Sequence, residues 1–133
     1  MDNERVCLDS TVRIGYLRRH QPEAMLVRDL VQHRPCCVAS ITVYEVLFGG
    51  ERRGKTLDED VLLGLLQVLP FDDACARKAA KLHADLIRMN ADIGVKDVLI
   101  AATCIHHNVL LLTTNERHFR RVAALQLLPM DAA

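Results

Sequence analysis

Short apolar runs that stop abruptly on a polar residue recur along this chain, and longer stretches with helical spacing separate them. Residues 5–9, Cys36–Ala39 (CCVA), residues 109–112 and residues 125–128 are such runs, and Leu69-Pro70-Phe71-Asp72 is a briefer extended piece. Residues 10–20 and Glu23–His33 read as helices on either side of Pro22. Ser40 starts a helix running to about Arg53, broken at Gly49-Gly50 and ended near Gly54. Thr56 caps the next, with Asp58, Glu59 and Asp60 in its first turn, where the helix dipole favours acids and the solvated-face reading suffices. Cys75, Ala79, Leu82, Leu86 and Met89 recur at amphipathic spacing. Residues 98–105 (VLIAATCI) are apolar all round and predict a buried helix, with a short helix over 115–121. Strands separated by helices argue for a parallel sheet covered on both faces. The expected class is therefore α/β, a three-layer α/β/α sandwich with a central parallel sheet, in one domain over residues 1–133.

Lys and Arg number 17 and Asp and Glu 17, so the chain carries no global electrostatic footprint for nucleic acid. With no Trp, two Tyr and three Phe, binding of single strands by stacking bases on aromatic platforms is disfavoured. Cys7, Cys36, Cys37, Cys75 and Cys104 form no CxxC and lie in apolar runs, the pattern of reduced, buried thiols in a cytoplasmic protein. Cys104 and His107 stand one helical turn apart, but structural zinc wants four protein ligands and no second pair accompanies them. No apolar run approaches the ~18 residues of a membrane span, and no signal-peptide core opens the sequence.

Three acids stand in unusual company. Asp9 ends the first apolar run, Glu45 lies on the stripe Ile41, Tyr44, Glu45, Phe48, and Asp97 opens the most apolar helix. A carboxylate so placed is costly unless compensated. Each has a local explanation, the two aspartates as helix caps and Glu45 as the partner of an arginine. A joint explanation is that the sheet brings all three to one edge, where like charges persist with shared protons or a bound cation. Oxygen-only ligands favour Mg²⁺ or Mn²⁺.

Four blocks carry a resemblance that spans almost the whole chain. They are LDSTV with Asp9 and Thr11, ASITVYEVLFGG with Ser40, Thr42 and Glu45, GVKDVLIAAT with Asp97, and LLLTTNERHF with Thr114, Asn115 and His118. In this order and spacing the chain resembles the PIN-domain ribonucleases, and most closely the VapC-type toxins of toxin–antitoxin pairs. The resemblance implies a PIN-like fold and metal-dependent endoribonuclease activity that leaves a 5′-phosphate. It also implies an RNA substrate, a cognate antitoxin and a homodimer. Asp9, Glu45 and Asp97 occupy the positions of the family's catalytic, metal-holding acids.

The sequence departs from the family pattern at two positions. Thr11 stands where Asn or Ser is common, and His118 where the family has a fourth Asp. Imidazole at that corner favours Mn²⁺ over Mg²⁺, and Asn115, one turn earlier, shares it. Ser40 and Thr114 are further candidates for the surroundings of the acids. Lys96, Arg13 and Arg52 are the candidates for phosphate contacts. A second reading is a catalytically impaired PIN-fold protein that binds RNA or a partner without cutting, with His118 as its support. A receiver domain is disfavoured, because Asp9 is followed by Ser-Thr rather than a second acid and no Lys follows residues 109–112 closely. Residues 61–69 and 14–17 are apolar segments available to a partner or to the core.

Overall fold

The computed structural model describes residues 5–9, 17–19, 21 and 23–130, so most of the helix expected over 10–20 lies outside the described residues. Strands β1 (Val6–Leu8), β2 (Cys36–Ala39), β3 (Gln67–Leu69) and β4 (Leu110–Leu112) form one sheet in the order β3-β2-β1-β4. Every pairing is parallel, with Cys7 opposite Cys37 on one side and Leu111 on the other. Among the described residues the helices are α1 (Glu23–His33), α2 (Ser40–Arg53), α3 (Leu57–Leu63), α4 (Asp73–Arg88), α5 (Val95–His107) and α6 (Glu116–Phe119).

Successive strand residues point to opposite faces, and both faces are covered. Cys7, Cys37, Ala39, Leu69 and Leu111 meet Ala79 and Leu86 of α4, Val98 and Ile100 of α5, and Phe119. Val6, Leu8, Cys36 and Leu112 meet Val27 and Leu30 of α1 and Leu62 of α3. Each large side chain so buried contributes about 1.5–3 kcal/mol, which is how strands of three or four residues hold a sheet. The α/β/α sandwich is the one the alternation of runs implies. All five cysteines are buried free thiols. Among the described residues no helix is long and apolar enough to cross a membrane.

Several elements differ from expectation. Helix α2 runs unbroken through Gly49 and Gly50 to a left-handed cap at Gly54, φ 85°. Gly50 serves a close approach instead of a break, since a Cβ there would lie 2.9 Å from Thr56 Cγ2 and 3.0 Å from the Lys55 carbonyl oxygen. The third strand begins at Gln67, before the extended piece read at 69–72, and Asp72 belongs instead to α4 as its cap, accepting the Cys75 N–H at 2.9 Å. The strand expected over 125–128 is reduced to an isolated bridge between Leu111 and Leu127. Met89 lies past the end of α4 and is 62% exposed, off the helix's buried face.

Candidate active site

Asp9 immediately follows β1, and its N–H donates to the Leu112 carbonyl at 3.0 Å, so the main chain stays in the sheet one residue beyond the strand. Its side chain is buried at 2% exposure. The Thr113 hydroxyl donates to Asp9 Oδ2 at 2.7 Å and itself accepts the Asn115 N–H at 3.0 Å. One buried hydroxyl thus holds the carboxylate and sets the turn that leads into α6. The motif LLLTTNERHF points to Thr114 for the surroundings of the acids. Thr114 is exposed, whereas Thr113 is wholly buried and touches the acid. The signal for Thr113 is its place directly after β4, level with Asp9 directly after β1 in the parallel register.

Glu45 projects from the second turn of α2. Its Oε2 pairs with Lys96 Nζ at 3.1 Å, with the glutamate side chain 19% exposed and the lysine 52%. The expected arginine partner is therefore a lysine, from the first turn of α5. Glu45 Oε1 is buried with no hydrogen-bond partner. The stripe on which Glu45 was read is not a core stripe. Tyr44 and Phe48 are 66% and 49% exposed and stack on each other at 5.7 Å, while Thr42, Val46 and Gly50 form the buried face.

Asp97 stands in the first turn of α5, whose N-cap is Gly94. It is not the helix cap, so that local explanation fails for it. Burial, followed by the charge of Asp9, raises the Asp97 pKa above the ordinary 3.8, Glu45 adds to the rise, and Lys96 and His118 oppose it. Lys96 holds its proton more tightly than usual, through its bond to Glu45 and then the charges of Asp97 and Asp9, against a desolvation cost. These mutual effects put the three acids and Lys96 in one electrostatic neighbourhood. His118 Nδ1 lies 3.0 Å from Asp97 Oδ2, an ion pair when the ring is protonated, but without hydrogen-bond alignment. His118 therefore sits against Asp97.

The remaining candidates fall around this centre. Asn115 is exposed at the N-cap of α6 without a side-chain capping bond, and contributes its N–H to Thr113. Ser40 is the half-buried first residue of α2, and Thr42 is buried with its hydroxyl unpartnered. Thr11 and Arg13 lie outside the described residues. The Arg52 guanidinium lies 5.9 Å from the Phe48 ring centre, on the exposed side of α2. Glu59, read as solvated, is instead buried at 3% and ion-paired with Arg53. A cleft of about 460 Å³ opens beside Glu45 and is walled in part by Arg18, Arg53 and Lys55.

The donor set at the acidic centre is oxygen-rich, self-repelling and set back from solvent, with Asp9 buried and Glu45 and Asp97 half-buried, and one glutamate oxygen lacks a partner. Those are the properties that a hard divalent cation satisfies.

Residues 6–125 match the PIN domain family. Ribonuclease VapC2 of Haemophilus influenzae is 32% identical over 90% of this chain and 92% of its own length. A tRNA(fMet)-specific endonuclease VapC of Shigella flexneri is 26% identical over the same shares of the two chains. In fold, the chain is similar to VapBC2 from Rickettsia felis bound to a DNA fragment, with a TM-score of 0.83, 23% identity, and coverage of 93% of this chain and 97% of that one. With the family match running from β1 to beyond α6, the chain belongs to the PIN-domain family, among the VapC ribonucleases.

Proposed function

We propose that this protein is a metal-dependent endoribonuclease, the toxin of a toxin–antitoxin pair, and that Asp9, Glu45 and Asp97 hold a Mg²⁺ or Mn²⁺ ion. The carrying observation is that three carboxylates from separate elements, Asp9 buried and Glu45 and Asp97 half-buried, act on one another, with the Asp97 pKa raised by burial and by Asp9 and with Glu45 Oε1 unpartnered. When bound, the cation supplies Lewis-acid polarisation of the phosphodiester and a lower pKa for the attacking water. Thr113 fixes the orientation of Asp9. Lys96 holds Glu45 from the solvent side and leaves its inner oxygen free to serve as a ligand. Asp97, whose proton affinity is raised by burial and by the charge of Asp9, is the carboxylate suited to accept a proton from water, with His118 Nδ1 3.0 Å from its Oδ2. Lys96, with Arg18 and Lys55 along the adjacent cleft, offers cations to an RNA backbone.

The relatives bear the name ribonuclease VapC, and similar folds have been solved in VapBC complexes, which supports an RNA substrate and an antitoxin partner here as well. Val61 and Leu65, 59% and 49% exposed on and just beyond α3, are apolar surface suited to that partner or to a second copy.

The test is cleavage of a fluorescent RNA panel by antitoxin-free protein in Mg²⁺, Mn²⁺ or EDTA, beside Asp97→Asn. Cutting that needs the metal and is lost in the variant supports the assignment. Folded protein that cuts nothing under either metal refutes it and favours the binding module, with His118 as the reason.

A further inference from the structure

The two ends of α5 carry different chemistry. Asp97 lies in its first turn, and His106 and His107 close its last. His106 stands nine positions after Asp97, roughly 14 Å along the helix. At the far end the histidines meet Cys75, the third residue of α4, and one donor atom from each of the three lies within 4.8 Å of the other two. Cys75 is buried and both imidazoles are half-buried.

A fourth donor adjoins them. Asp72 Oδ1 accepts the Cys75 N–H at 2.9 Å and lies 3.9 Å from His106 Nε2. The Pro70 carbonyl accepts from Cys75 Sγ at 3.7 Å and from His107 Nε2 at 3.0 Å, which draws thiol and imidazole to one point. The sequence pairing of Cys104 with His107 does not form this cluster, because Cys104 is wholly buried in the core. Histidines in a last turn suit the helix dipole, but that account leaves a thiol from another helix beside both rings unexplained.

We propose that Cys75, His106 and His107 bind a divalent ion of the zinc class, with the Asp72 carboxylate, just outside the trio and 3.9 Å from His106 Nε2, swinging in to complete the set. One sulfur, two imidazoles and a carboxylate are all zinc ligands, and four of them satisfy a closed tetrahedral site. Sulfur and imidazole select such an ion over the hard cations suited to the acidic centre. Binding displaces the thiol proton, so uptake releases a proton and strengthens as pH rises. The ion ties the start of α4 to the end of α5.

Cobalt(II) reports on this directly. The full chain, treated with EDTA and desalted, is titrated with Co²⁺ and followed by absorption. One equivalent is expected to produce a thiolate-to-cobalt charge-transfer band with tetrahedral d–d bands, which Zn²⁺ then bleaches. Cys75→Ser removes the charge-transfer band, His106→Gln weakens binding by at least roughly tenfold, and Asp97→Asn leaves the band in place. His106 is half-exposed, so its variant serves if the serine variant fails to fold. Wild-type protein without a thiolate band at millimolar cobalt overturns the proposal, and so does a band that survives both Cys75→Ser and His106→Gln.

Discussion

Replacing Thr113 with Val removes one hydroxyl and keeps the shape of the side chain. In the folded protein that hydroxyl is wholly buried, donates to Asp9 Oδ2 at 2.7 Å and accepts the Asn115 N–H at 3.0 Å. A hydrogen bond to a charged group contributes about 1.5–3 kcal/mol. Asn115 is exposed, so water takes over much of the second bond. The added methyl returns a fraction of the loss as apolar contact, and the net cost is about 2 kcal/mol. For a chain of 133 residues that lowers the melting temperature by about 8 °C. The assay is urea and thermal unfolding in EDTA, so that no cation contributes, with Thr113→Ser as the restoring control. A cycle with Asp9→Asn should show coupling of about 1 kcal/mol, because a neutral acceptor gains less from the same donor. RNA cleavage by Thr113→Val should fall about ten- to a hundredfold as Asp9 loses its orienting bond. If Thr113→Val unfolds within about 0.5 kcal/mol of wild type and shows no coupling to Asp9, this hydroxyl does not sustain the buried carboxylate.

Asp97→Asn should abolish cleavage while stabilising the metal-free protein at neutral pH. The folded-state pKa of Asp97 is raised by burial and Asp9, so its contribution is fully present below the unfolded value near 3.8 and is lost as pH rises through the folded value. The stability gap between variant and wild type should therefore open above pH 3.8, and a gap that closes over that range contradicts the assignment. Gly50→Ala places a methyl 3.0 Å from the Lys55 carbonyl oxygen, where backbone must yield. It should cost about 1–3 kcal/mol in urea unfolding. His118→Asp adds a carboxylate beside Asp97, 3.0 Å from the present imidazole nitrogen. It should shift metal preference in the cleavage assay toward Mg²⁺ and destabilise the metal-free fold, both measurable on the same preparation.

Legibility followed punctuation. Pro22 and Pro35 bracket Glu23–His33, and that helix and the CCVA strand fall where the sequence places them. β3 escaped because it is an edge strand with Gln67 and Val68 exposed, so its apolar pattern is too short to read. The acids were legible because each is polar in an apolar setting. Their partners were not, since Lys96 reaches Glu45 and Thr113 reaches Asp9 only across the sheet's crossovers. Glu59 misled for a related reason. An acid in a first turn is ordinarily solvated, and only the close approach at Gly50 brings α3 against α2 and buries it. Nothing local in the chain announces that Tyr44 and Phe48 stack outside the core.

The acidic centre stands on the margins of its elements, and none of β1, α2 and α5 depends on its acid to form. Asp9 keeps its place in the sheet through its main-chain N–H, α2 starts without a side-chain cap, and α5 starts from Gly94. The apolar framework and the chemistry can therefore drift independently over evolutionary time. A change at one corner of the centre, such as His118→Asp, can therefore alter its chemistry while the outline of the fold, and whatever recognises that outline, persists.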